Sequence, residues 1–236
     1  MKKLLKGIID FRQRFLRRYR EKFSKLAQEG QAPDLLLVSC CDSRVAPNVF
    51  ASTNPGDVFV LRNIGNLIPP YSQVHEGDIS AAAALDYSLL FLNVSDIVIC
   101  GHSECGAMCS FFNAATQDTS SLPLKEWLHY AEISYLKFKE LKKNNVEFEK
   151  FKKSHASQAD LSDHNLLSQL NVLQQIENIK SYPEVKKRYI AHQLRVHAWW
   201  FDLVSGNIYY YNENLKKFIL LDEIEAERLL LKGLST

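Results

Sequence analysis

The apolar positions of this chain fall into two periods. Leu35-Leu36-Leu37-Val38, Val58-Phe59-Val60-Leu61 and Ile97-Val98-Ile99-Cys100 are short runs with no polar alternation, the pattern of strands buried on both faces of a sheet. Other segments repeat at spacings of three and four. Leu4, Ile8, Phe11, Phe15, Tyr19, Phe23 and Leu26 do so in the N-terminal arm, which predicts an amphipathic helix with arginines on its outer side. Ile79 to Leu92 is alanine-rich and free of Gly and Pro, a good helix former. Leu124 to Phe151 reads as a helical region with lysines and glutamates facing out. A further helix spans about Asp160 to Ile179, capped by Asp163, with Leu166, Leu170, Leu173 and Ile176 marking its buried side. Strand-forming aromatics from His197 to Tyr211 surround a Ser205-Gly206-Asn207 turn and predict a hairpin. Glu223 to Leu231 reads as a terminal helix.

Strands alternating with helices predict an α/β fold, a central and mostly parallel sheet flanked by helices. The N-terminal helical arm covers residues 1–30 and the main domain residues 31–236. In such sheets ligands bind beyond the carboxyl ends of the strands. Three polar segments stand at predicted strand ends: Cys40-Cys41-Asp42-Ser43-Arg44, Arg62-Asn63, and Gly101-His102-Ser103-Glu104-Cys105-Gly106.

The first and third of these can supply two thiolates and an imidazole from Cys40, His102 and Cys105. Soft thiolates with imidazole select zinc, and three protein ligands with an open fourth position make a catalytic rather than a structural site. Two thiolates formally neutralise Zn²⁺, so a second group is needed to help activate water. Asp42, held by a bidentate pair with Arg44, is the candidate. Cys41 in the first shell would instead close the site and make the zinc structural. Cys100 and Cys109 read as inert core thiols, and His75, His129, His155, His164, His192 and His197 show no ligand spacing. His75 and Tyr71 are candidates for carrying protons to bulk water.

Composition excludes some classes. The apolar runs are far shorter than the roughly 20 residues that span a bilayer. No signal peptide is evident at the N-terminus, and five cysteines do not suit a secreted disulfide framework, so a cytoplasmic location is expected. The first 25 residues hold ten Lys or Arg against Asp10 and Glu21, a net +8, so the formal charge of +2 leaves −6 on the rest. That basicity is local and comes without an interleaved base-stacking motif, so no nucleic-acid partner is expected.

The two signatures, Cys-x-Asp-Ser-Arg at 40–44 and Gly-His-Ser-x-Cys-Gly at 101–106, resemble those of the β-class carbonic anhydrases. Arg62-Asn63-Ile64-Gly65-Asn66 with Pro69-Pro70, and Gln31-x-Pro33, are similar to further segments of the plant-like branch. The resemblance implies reversible hydration of carbon dioxide to bicarbonate and a proton, by hydroxide activated at Zn²⁺ and oriented by the Asp42/Arg44 dyad. It further implies that Gln31 hydrogen-bonds the substrate, that Phe59, Ile64, Leu85 and Tyr87 form an apolar pocket wall, and that Gly106 offers backbone near the metal. It implies a homodimer or larger oligomer, with the arm laid over a partner subunit. Carbonyl sulfide and carbon disulfide hydrolases also resemble this family, which leaves a second linear substrate class open.

Overall fold

A computed structural model describes residues 1–76, 79–113, 122–155, 161–231 and 233. Among these, six strands form one sheet in the order β2-β1-β3-β4-β5-β6. They are β1 (Leu35–Cys40), β2 (Val58–Asn63), β3 (Asp96–His102), β4 (Arg195–Phe201), β5 (Ile208–Asn212) and β6 (Lys217–Leu220). The first four are parallel, and β5 and β6 add antiparallel to one edge. The three apolar runs are β1, β2 and β3, but burial on both faces holds only for β1 and β3, since β2 is an edge strand with no fully buried residue. Every residue of β3 and all but the first of β1 are buried, because helices cover the sheet where it is central.

The helices are α1 (Lys2–Asp10), α2 (Leu16–Glu29), α3 (Pro47–Phe50), α4 (Ser80–Leu90), α5 (Gly106–Cys109), α6 (Leu122–Leu128), α7 (Glu132–Lys143), α8 (Asn145–His155), α9 (Asp163–Lys180), α10 (Pro183–Ile190) and α11 (Glu223–Leu231). A π-helical segment, Phe11–Phe15, joins α1 to α2, so the arm is helical over the predicted stretch. The expected single region from Leu124 to Phe151 is instead α6, α7 and α8, broken by a 3₁₀ turn at His129–Ala131 and by Asn144. The strand β6 and the helix α10 were not foreseen: β6 is four residues long on a sheet edge, too short to impose a period.

The main core lies between one sheet face and α4, α9 and α10, around Leu36, Val38, Ile97, Ile99, Leu85, Leu89, Val172 and Ile179. A second core, around Phe138, Phe151, Leu166 and Leu167, joins α7, α8 and α9 to Cys40 and Cys105. Helix α9 is therefore packed on nearly all sides and buries twelve residues. The amphipathic reading of it is corrected: Leu170 and Leu173 are only half-buried, while Gln169, Asn171 and Gln175 are sealed inside. Asp163 does not cap it either. Ser162 holds the cap position and the Asp163 carboxylate pairs with Lys142. Asp160, the expected start, lies outside the described residues.

The arm buries none of its residues. It is fastened at its C-terminal end, where Lys22 Nζ meets Asp57 Oδ1 at 2.7 Å and Leu26 covers Gly56. Leu4, Leu5, Ile8, Ile9, Phe11, Phe15 and Phe23 stay exposed. Among the described residues no helix is long and apolar enough to cross a membrane.

Candidate metal centre

The carboxyl ends of β1 and β3 lie side by side, because Ser39 of β1 pairs with Cys100 of β3. That register brings Cys40 beside the segment that follows His102, and a tight turn with Glu104 at φ 54° returns Cys105 to the same spot. The Sγ atoms of Cys40 and Cys105 and a ring nitrogen of His102 lie within 4.8 Å of one another. All three residues are buried.

Each donor is held from behind. His102 Nδ1 donates to the Ser103 carbonyl at 2.8 Å, since a carbonyl can only accept. The Nε2 lone pair therefore faces the two sulfurs, and Nε2 is fully buried with no hydrogen-bond partner. Ser103 is fixed in turn: its Oγ donates to Asp202 Oδ1 at 3.0 Å and accepts from the Leu203 amide at 2.8 Å. The His102 carbonyl accepts from Ser168 Oγ of α9 at 2.8 Å. Such outer contacts set ligand tautomer and orientation.

Cys40 Sγ accepts backbone N–H bonds from Gly65 at 3.3 Å and Asp42 at 3.4 Å. Its thiol is held well below the usual range. The hydrogen bond from Cys105 is the main cause, acting against burial, with the two backbone amides adding to it. Cys105 is pushed up by that same bond and by its burial. One proton is thus shared between two sulfurs. A soft dication that displaces it would satisfy both sulfurs and the orphaned imidazole nitrogen, so the donor set fits zinc.

Gly65 shows why its position admits no side chain. Its φ is +77°, and a Cβ there would stand 3.0 Å from Ala107 Cβ, so only glycine brings this amide to the sulfur without strain. The loop that carries it is clamped by α9. Asn171 Nδ2 donates to the Gly65 carbonyl at 3.2 Å, Gln175 Oε1 accepts from the Ile68 amide at 2.8 Å, and Asn178 Nδ2 donates to the Ile68 carbonyl at 2.8 Å.

Asp42 and Arg44 form the expected bidentate pair: Arg44 Nε donates to Oδ1 at 2.9 Å and Nη2 to Oδ2 at 2.8 Å, while the Arg44 amide also reaches Oδ1 at 3.0 Å. The Arg44 hydrogen bonds keep the Asp42 carboxyl far below the ordinary carboxylate range. Arg44 Nη2 is anchored on the Glu104 carbonyl at 2.9 Å, which ties the dyad to the turn between His102 and Cys105. Arg62 pins the 40–45 loop through the carbonyls of Cys40, Asp42 and Val45.

The other expected site residues are spread more widely. Gly106 follows Cys105 directly, and Ile64 precedes Gly65, exposed, with its carbonyl on Trp127 Nε1 at 2.8 Å. Leu85 is fully buried in the main core, so its placement on a pocket wall is corrected: the inner face of α4 packs on the sheet. Phe59 pairs with Leu36 while Asn63 pairs with Cys40, which places Phe59 four residues, about 13 Å, down the strand from the cysteine. Tyr87 stacks near Phe59 with ring centroids 5.7 Å apart, and Gln31 is exposed at the end of the arm. Neither Phe59, Tyr87 nor Gln31 touches its own chain's metal centre. Cys41 is exposed and outside the ligand group, as a bystander should be. Cys100 is sealed in the sheet, its thiol pushed up to about 12 by burial. Cys109 is only half-buried, unlike the core thiol expected. Tyr71 is exposed with no contact to the centre given by its ring or amide, and the side chain of His75 lies outside the described residues.

Sequence reasoning missed the roles of Gly65 and Asp202, which carry no local signal beyond position near a strand end, and of Asn171, a polar residue in the middle of α9.

A family model described as carbonic anhydrase matches residues 35–208. The carbonic anhydrase of Synechocystis is 32% identical over 219 residues, 93% of this chain and 74% of that protein. The structure of the β-carbonic anhydrase CcaA matches with a TM-score of 0.79 at 28% identity, covering 96% of each chain. A tetrameric β-carbonic anhydrase of Sordaria macrospora matches with a TM-score of 0.70 at 27% identity, covering 89% of this chain and 95% of that one. With the family model spanning most of its length and its sheet, helices and Cys-His-Cys group in place, the chain belongs to the carbonic anhydrase family, in the β class.

Proposed function

We propose that this enzyme hydrates carbon dioxide reversibly to bicarbonate and a proton with Zn²⁺ held by Cys40, His102 and Cys105. The convergence of two sulfurs and an orphaned imidazole nitrogen within 4.8 Å carries the reading. Zinc there would supply Lewis acidity, making water a strong nucleophile near neutral pH.

The chain's own residues do the positioning. Arg44 fills both acceptor sites of Asp42 Oδ1 and one of Oδ2, leaving a single lone pair on Oδ2. A carboxylate kept ionised accepts but does not donate, so Asp42 selects a nucleophile that presents a hydrogen to it and turns its lone pair toward the carbon. Gly106, directly after Cys105, and Ile64, directly before the Gly65 whose amide reaches Cys40 Sγ, are assigned to the substrate side of the ligands. Gln31, Phe59 and Tyr87, too far along the fold to serve their own centre, are assigned to the centre of a second copy. The exposed apolar face of residues 1–30 supports the same assembly, with the arm laid over a partner and the self-association typical of the tetrameric relative.

Stopped-flow hydration of carbon dioxide by zinc-loaded protein tests this. Turnover is expected in the wild type, and Cys40→Ser should lose both zinc and rate. A fully zinc-loaded wild type with no hydration activity would overturn the proposal.

A further inference from the structure

Outside the three-ligand group, the described residues hold one more cluster with metal-ligand chemistry: donor atoms of Glu104, Cys109 and His164 all lie within 4.8 Å of one another. They come from three elements, the turn after β3, the last turn of α5 and the first turn of α9. His164 Nε2 and Glu104 Oε1 are 3.0 Å apart, close to the roughly 3.4 Å that separates two ligands each about 2.1 Å from one tetrahedral ion. Asn165 fixes the glutamate twice, accepting its N–H at 2.7 Å and donating to Oε1 at 3.0 Å. Ser162 Oγ lies 3.0 Å from His164 Nε2 and brings an oxygen to the same place. The Glu104 side chain is 47% exposed and that of His164 26%, so an ion can enter from solvent without opening the fold.

Thiolate, imidazole and carboxylate together favour a borderline-soft divalent ion over a hard one. We propose that Glu104, Cys109 and His164 form a second site for a thiophilic divalent cation such as zinc or cadmium, and that its occupancy inhibits the enzyme. It binds more weakly than the buried centre, having one thiolate instead of two and an exposed carboxylate. The inhibition rests on the catalytic reading above. Glu104 stands between His102 and Cys105, and its carbonyl holds Arg44 Nη2 at 2.9 Å, so drawing Glu104 onto a cation moves the anchor of the Asp42/Arg44 pair. Perturbing groups that orient a metal site commonly costs about 10- to 100-fold.

The test is titration of the zinc-loaded full chain with excess zinc, and separately with cadmium, reading bound metal by elemental analysis after equilibrium dialysis alongside the hydration rate. Two ions per chain are expected, the second lowering the rate about 10-fold or more and, with cadmium, adding thiolate-to-metal absorbance. Cys109→Ser and His164→Gln should keep one ion and the basal rate while losing the second ion, its absorbance and the inhibition. A wild type that binds one ion, or a second ion indifferent to both substitutions, overturns the site. A second ion lost on both substitutions but without effect on rate overturns the inhibition. Failure of the catalytic reading looks different, as a first ion that Cys40→Ser does not remove.

Discussion

Gly101 immediately precedes His102 on β3, and its missing side chain sets how close α9 lies to the sheet. A Cβ there would stand 2.4 Å from Val172 Cγ2, 3.3 Å from Trp200 Cδ1 and 3.4 Å from Ser168 Oγ. Carbon atoms pack no closer than about 3.5 Å, so Gly101→Ala requires Val172 to retreat by about 1.1 Å. Val172 cannot swing aside: it is β-branched in a helix, stiff at χ1, and fully buried, with Trp200 at 1% exposure beside it. Gly101 has ordinary backbone angles, outside the set with positive φ, so the penalty is steric alone. Overpacking of this kind costs about 1–3 kcal/mol. The retreat also moves Ser168, which holds the His102 carbonyl, and a displacement of about 1 Å at a reacting group can cost on the order of 100-fold in rate. Urea unfolding and stopped-flow hydration would measure the two losses. The control is Gly101→Ala with Val172→Ala, which removes the clashing methyl. Val172→Ala alone should cost about 1.5–3 kcal/mol from two lost methyls and the cavity, and the double variant should lose at least about 1 kcal/mol less than the sum of the single losses. An unchanged unfolding midpoint in Gly101→Ala, or strict additivity in the pair, would refute the reasoning.

Other outcomes follow from the same contacts. Asp42→Asn should retain its zinc by elemental analysis yet lose about 100-fold or more in hydration rate, since the amide presents a donor to Arg44 and breaks the pair; wild-type turnover in that variant would contradict the acceptor role. Asp96 is held below the usual carboxylate range: burial alone would raise it, and His197 and Arg195 outweigh that. Its stabilisation is therefore complete above the unfolded value of about 3.9 and fades as pH falls toward the lower folded value. Asp96→Asn should cost roughly 2–4 kcal/mol at pH 7, and the gap to wild type in urea unfolding should narrow below about pH 4. Asn178→Leu leaves the Ile68 carbonyl and Gln174 without their partner and should cost about 1–3 kcal/mol, with faster hydrogen exchange in residues 64–68. Removing residues 1–29 should reduce the assembly size by light scattering while leaving zinc content unchanged.

Much of this protein could be read from its chain. Three uninterrupted apolar runs named three of the four parallel strands; β1 and β3 are buried on both faces and have no polar side to alternate with, while β2 is an edge strand without a fully buried residue. The topology rule for parallel sheets then gathered Cys40, Arg62 and His102 at one rim, and the shared register of β1 and β3 delivers them there. The adjacent Asp42 and Arg44 were legible for the same reason, since two residues of separation in one turn suffice for the pair.

What the sequence withheld depends on contacts between distant segments. Helix α9 was read as amphipathic, but packing between two cores buries its polar face too, and Asn171, Gln175 and Asn178 use that burial to clamp the Gly65 loop. Leu85 matched a pocket wall by its position, and tertiary packing turned it inward. Phe59 matched as well, yet the strand register carries it about 13 Å from the cysteine of its own chain, with Tyr87 packed beside it. Cys109 and His164 carry no spacing that relates them, being 55 residues apart in the chain; only the docking of α9 against the turn at Glu104 brings them together. Local periodicity and ligand chemistry are properties of short segments and are written in the sequence, whereas these pairings arise from long-range closure of the chain, which only the folded structure specifies.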